Sequence, residues 1–108
     1  MGEKSQQLLQ QYKELAGKLA RTGLIVQGSL SAVRYRCGKD NCACSRDEAR
    51  KHGDYLLLTY KHQGKTVSKK LTGRQAALCR EFIGNNKRIK MFLGRMRTLG
   101  LKFIESID

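Results

Sequence analysis

Three of the chain's four cysteines fall within eight residues, at Cys37, Cys42 and Cys44, and His52 follows eight positions after the last. No other feature constrains the fold as tightly. The stretch "GKDNCACSRDEARKHG" is too polar to serve as core, so these thiols need another use. A disulfide between near neighbours leaves one thiol over and is reduced in the cytosol. A catalytic thiol needs a base and one favoured nucleophile, whereas these three are grouped and near-equivalent. A metal remains. Tetrahedral Zn²⁺ accepts three thiolates and one imidazole, and the spacing Cys37-x4-Cys42-x-Cys44-x7-His52 supplies that set. Gly38 permits the tight turn after the first ligand, and Asn41 tolerates a left-handed conformation or hydrogen-bonds a thiolate. Lys39, Arg36 and Arg46 offset the residual negative charge of three thiolates on Zn²⁺. The fourth ligand is His52 or, farther along the chain, Cys79, whose helical position also suits a small buried apolar residue. With four protein ligands the zinc is structural, leaving no open position for water.

The chain has 108 residues, enough for one compact domain with a thin stability margin, and a metal staple matters most at that size. Its charge names the partner class. Twenty-two Lys and Arg against nine Asp and Glu give +13, spread as +2 over residues 1–30, +6 over 31–72 and +5 over 73–108. Self-repulsion on that scale is most simply offset by a polyanion, so nucleic acid, DNA or RNA, is the expected partner. An interfacial membrane helix would need a Lys/Arg face opposite a Trp/Phe/Leu face, which neither helical pattern has. No run of 18 apolar residues and no signal-peptide pattern is present, so a cytoplasmic location is expected, at the nucleoid if the partner is DNA. The chain lacks HExxH, GxSxG and GxxxxGK[ST] patterns, and its few acidic residues are scattered. We expect no enzyme activity and no small-molecule substrate.

Periodicity predicts an α+β fold: a small antiparallel sheet of about three strands with a zinc-stapled loop, flanked by an N-terminal helix and one or two C-terminal helices packed together. Leu8, Tyr12, Leu15 and Leu19 make an a/d stripe on a helix from Glu3 to about Arg21, stopped at Gly23. A strand is expected over 29–36, and a hairpin with arms Tyr55–Lys61 and Thr66–Leu71 around a His62-Gln63-Gly64 turn. Thr72-Gly73-Arg74-Gln75 fits a capping box. Leu78, Phe82, Ile89, Phe92, Met96, Leu99 and Phe103 then continue at heptad spacing, with Asn85 the one polar member, and "IGNN" at 83–86 suggests a break into two helices. The organisation expected is residues 1–23 as the amphipathic helix, 24–72 as the zinc-loop and hairpin module, and 73–108 as the basic helical region, in one compact domain. The helices should pack together within one chain or across a homodimer.

"GSLSAVRYRCGKDNCAC" followed by "HGDYLLLTYKHQGKTVSKKL" resembles an uncharacterised family of small prokaryotic proteins, a domain of unknown function whose members read roughly GSL…RCGKPNCxCA…HGPYYYLxYR…GK…YV. The similarity covers about residues 28–71. It implies that Cys37, Cys42, Cys44 and His52 form one unit, and that the protein is encoded near mobile elements, which suits a DNA- or RNA-associated role. Asp40 and Asp54 stand where the family usually has Pro, and Leu56-Leu57 replace part of a tyrosine run.

The expected function is a zinc-stabilised, backbone-contacting nucleic-acid-binding protein, an accessory or regulatory factor of a mobile element or nucleoprotein complex. The candidate phosphate contacts are Arg34, Arg36, Lys39, Arg46, Arg50 and Lys51 on the loop, Lys61, Lys65, Lys69 and Lys70 on the hairpin, and Arg88, Lys90, Arg95 and Arg97 on the C-terminal helix. Tyr35, Tyr55 or Tyr60 would stack on unpaired bases. The alternative is a protein–protein interaction subunit that docks through its heptad-like helices.

Overall fold

The computed structural model describes residues 2–35, 38, 40–47 and 52–107, and of these the side chains of Tyr35, Cys44, His52 and Asp54 lie outside the description. In chain order the elements are α1 (Glu3–Arg21), β1 (Ser29–Tyr35), a short 3-10 turn (Ala43–Ser45), β2 (His52–His62), β3 (Lys65–Leu71) and α2 (Gly73–Glu105). They form two compact units: residues 1–26 with 82–108, and residues 27–81.

The first unit is an antiparallel pair of helical segments. Leu8 and Leu15 of α1 and Phe92 and Leu99 of α2 form its buried core, with Leu19, Met96 and Phe103 packed against them. The apolar stripes therefore meet within one chain. At one end the Ser5 and Ser106 hydroxyls are 2.6 Å apart, and Ser106 donates to the Phe103 carbonyl at 2.6 Å, which leaves Ser5 as the donor between them. At the other end the chain leaving α1 is fastened to α2. The Val26 amide donates to the Phe82 carbonyl at 3.2 Å, and Asn85 Nδ2 donates to the Leu24 carbonyl at 2.8 Å. Asn85 is 4% exposed, and its Oδ1 accepts from Arg88. The polar member of the stripe thus satisfies a backbone acceptor that α1 leaves behind, as buried amides must.

Two stripe positions differ from the heptad reading. Tyr12 is 39% exposed, and Leu78 is 43% exposed while its neighbour Cys79 is buried. Leu78 and Cys79 fall in the stretch of α2 grouped with the sheet, so the stripe that meets α1 does not decide which of them is buried. The expected break at 83–86 is also absent, because α2 is helical throughout. Each glycine costs about 1 kcal/mol relative to Ala in a helix. The packing of Phe92, Met96, Leu99 and Phe103 on α1 offsets that penalty, and Asn85 spends its amide on Leu24 instead of capping a helix end.

The second unit is the sheet, in the order β1-β2-β3, both pairs antiparallel, followed by the start of α2. His62 pairs with Lys65, so it ends β2 and the turn shrinks to Gln63-Gly64. Both turn residues have positive φ, 51° and 79°, the geometry of a two-residue type I′ turn whose twist matches the strands. β2 also begins earlier than expected, at His52, which pairs with Tyr35 beyond an irregularity in β1 between Val33 and Tyr35. Where β3 ends, the Thr72 hydroxyl accepts from the Gln75 amide at 3.1 Å, and the Gln75 side chain accepts from the Thr72 amide at 2.9 Å. This is the reciprocal capping box, and it fixes where α2 starts.

Candidate nucleic-acid interface

Strand alternation sorts the sheet into two faces of opposite character. Register partners share a face, so Leu30 and Ala32 line up with Leu58 and Leu56, and these with Lys69 and Leu71. Tyr60 and Val67 complete that mostly apolar face. Among the described residues, Ala76 and Cys79 of α2 are the buried side chains of the same unit, and burial pushes the Cys79 thiol above its ordinary pKa.

The opposite face is polar and cationic. One row across the strands is Ser29, Thr59 and Ser68; the next is Ser31, Leu57 and Lys70; Val33 and Tyr55 follow. Lys61 and Thr66 pair beside the turn. The Thr59 and Ser68 hydroxyls are 3.2 Å apart, and the Lys70 ammonium sits 4.6 Å from the Tyr55 ring centroid, within cation–π range. A hollow of about 380 Å³ opens among Gly28, Ser29, Thr59, Lys61 and Thr66. Gly28 lets the chain pass close to β2 there, since a Cβ would lie 2.8 Å from the Thr59 carbonyl oxygen.

Among the described residues, the four candidate lysines of the hairpin do not share one face. On the hairpin, Lys61 and Lys70 share the polar face, whereas Lys65 and Lys69 share the apolar one. Lys69 lies 5.9 Å from the Tyr60 ring on that side. Arg34 is exposed on β1, and Arg46 is exposed at the end of the 3-10 turn. On α2, Arg88 and Arg95 are seven residues apart on one side and Lys90 and Arg97 on another. Arg36, Lys39, Arg50 and Lys51 lie outside the described residues. Sequence reasoning missed the hydroxyls. The period-two pattern Ser29-x-Ser31 and Thr66-x-Ser68-x-Lys70 was the signal that could have found them.

Of the candidate metal ligands, Cys37 lies outside the described residues, and Cys44 and His52 are described by backbone alone. Cys42 is half-buried at the start of the 3-10 turn, where the Ser45 hydroxyl donates to its carbonyl at 2.8 Å. Gly38 has φ 82°, a left-handed geometry that glycine adopts without strain. Among the described residues no group of three or more His, Cys, Asp or Glu side chains gathers around one point. Cys79, the other candidate ligand, is buried in α2.

A family model described as a domain of unknown function, DUF6788, matches residues 5–80. The chain belongs to that family. The match runs through α1, all three strands and the capping box into α2, so both the sheet and the cysteine loop lie inside the family domain. No curated protein and no solved structure matches the chain. No helix among the described residues is long and apolar enough to cross a membrane.

Proposed function

We propose that the protein binds nucleic acid by holding the phosphate backbone against the Ser/Thr/Lys face of its sheet, as an accessory or regulatory factor of a nucleoprotein complex such as a mobile element's. The observation that supports this most is the register itself, which sets five hydroxyls, Tyr55, Lys61 and Lys70 on one side and most of the apolar side chains on the other. Hydroxyls and ammonium groups are the usual phosphate donors, and they position a backbone without reading its sequence. Tyr55 offers a ring edge for an unpaired base. The sheet's charge falls in the stretch 31–72, which carries +6 of the chain's +13.

In this proposal Cys37, Cys42, Cys44 and His52 hold a zinc ion that staples the loop beside the sheet. The donor set suits Zn²⁺, and the pairing of Tyr35 with His52 starts the two loop ends from one point of the sheet. The chain's own contribution is to turn tightly at Gly38 and brace Cys42 through Ser45.

Fluorescence anisotropy with labelled 20-nucleotide single- and double-stranded probes, across a salt series, tests the binding. We expect log K to fall linearly with log salt, with a slope of about −2 to −5 for a few neutralised phosphates. Affinity that ignores ionic strength would overturn the proposal.

A further inference from the structure

We propose that the groove between α1 and α2 receives an acidic amphipathic helix from a partner protein. This surface belongs to the helical unit, and the inference does not rest on the nucleic-acid reading. The groove measures about 520 Å³ and is lined by residues 11–18 of α1 and 91–102 of α2. Its floor is Leu15, Met91 and Leu99, with Met91 46% exposed. A methionine in such a position repacks readily around an incoming side chain. Above Gly94 there is open space: a Cβ built there would meet nothing within 4 Å. A partner side chain can therefore approach the α2 backbone. The Thr98 hydroxyl is already committed to the Gly94 carbonyl at 3.1 Å, so it makes no polar demand on an occupant.

Length and charge then select the occupant. The α2 side runs about 16 Å, three helical turns, alongside a second helix, which is the cradle a third helix needs. Lys18, Arg95 and Lys102 stand along the groove, and Glu14 is the one acidic group among its lining residues. A second copy of the chain is disfavoured, because residues 1–26 and 82–108 together carry +6 and would repel their like. A phosphate backbone gains nothing from an apolar floor. An amphipathic helix with leucines on one face and glutamates flanking them satisfies both floor and rim.

The test uses the full chain and a fluorescein-labelled 18-residue peptide of Glu, Ala and Leu, with Leu at i, i+3, i+4 and i+7. Three comparators accompany it: the peptide with Leu replaced by Ala, the peptide with Glu replaced by Lys, and a 20-nucleotide single strand as competitor. We expect saturable binding of the Glu/Leu peptide. The Ala comparator should bind about tenfold or more weakly, the Lys comparator should not bind, and the oligonucleotide should not displace the peptide. Gly94→Leu should fill the groove and weaken the peptide at least about tenfold, while the melting temperature holds or rises because Leu is the better helix former. Lys102→Glu, an exposed change outside the core, should weaken binding to a similar degree. Equal binding of the Ala or Lys comparator, displacement by the oligonucleotide, or unchanged affinity in Gly94→Leu and Lys102→Glu would each overturn the proposal.

Discussion

Asn85 shows how one residue can be both legible in the sequence and misread there. Its place as the polar member of an apolar stripe marked it, and a helix break was the natural reading of the Gly-Asn-Asn around it. The break is absent because the Asn85 amide has a better partner, the carbonyl of Leu24. Removing that donor leaves a part-buried acceptor unpaired. Asn85→Ala should therefore lower stability by about 1–3 kcal/mol in urea unfolding, whereas Asn86→Ala should stay within about 0.5 kcal/mol. Similar costs for the two would show that the Leu24 contact contributes nothing. The exchange of Leu78 for Cys79 as the buried residue was not legible, because the heptad pattern runs on through 78–103 and does not show that 78 and 79 group with the sheet and not with α1.

Among the elements, the strongest local chemistry was readable. The capping box at Thr72 and Gln75 and the Gly64 turn sit where their residue types require. The ends of β2 were not readable, since its extension to His52 depends on pairing across the irregularity in β1, a tertiary event. The continuity of α2 is tertiary as well. Gly84 and Gly100 lie within it, and a Cβ at either would meet nothing within 4 Å. Gly84→Ala and Gly100→Ala should each stabilise the protein by up to about 1 kcal/mol, read as a rise in melting temperature. A fall would mean that the helix needs these positions bare. Gly28→Ala should do the opposite, because its Cβ would press on the Thr59 carbonyl oxygen at 2.8 Å.

For the whole molecule, two compact units with separate cores imply separable responses. The core of Leu8, Leu15, Phe92 and Leu99 includes no residue of the cysteine loop. If zinc staples that loop, elemental analysis should find one zinc per chain. Chelator or Cys42→Ser should then lower the stability of the sheet while most helical circular dichroism at 222 nm survives. A zinc-free native protein whose melting curve ignores chelator would remove the metal from the account. The α+β class, the three strands and the helix pairing were all legible from period and turn chemistry. The sorting of the lysines onto two faces was not, because it depends on register, which only the folded pairing sets.

That sorting permits the most direct test of the binding face. Lys61→Glu with Lys70→Glu, and Lys65→Glu with Lys69→Glu, change the charge of one hairpin equally but on opposite faces. With a 20-nucleotide probe at fixed salt, the first pair should lose at least about tenfold in affinity and the second far less. Equal losses from the two pairs, or a greater loss from the second, would contradict a phosphate-binding surface on the Ser/Thr/Lys side of the sheet.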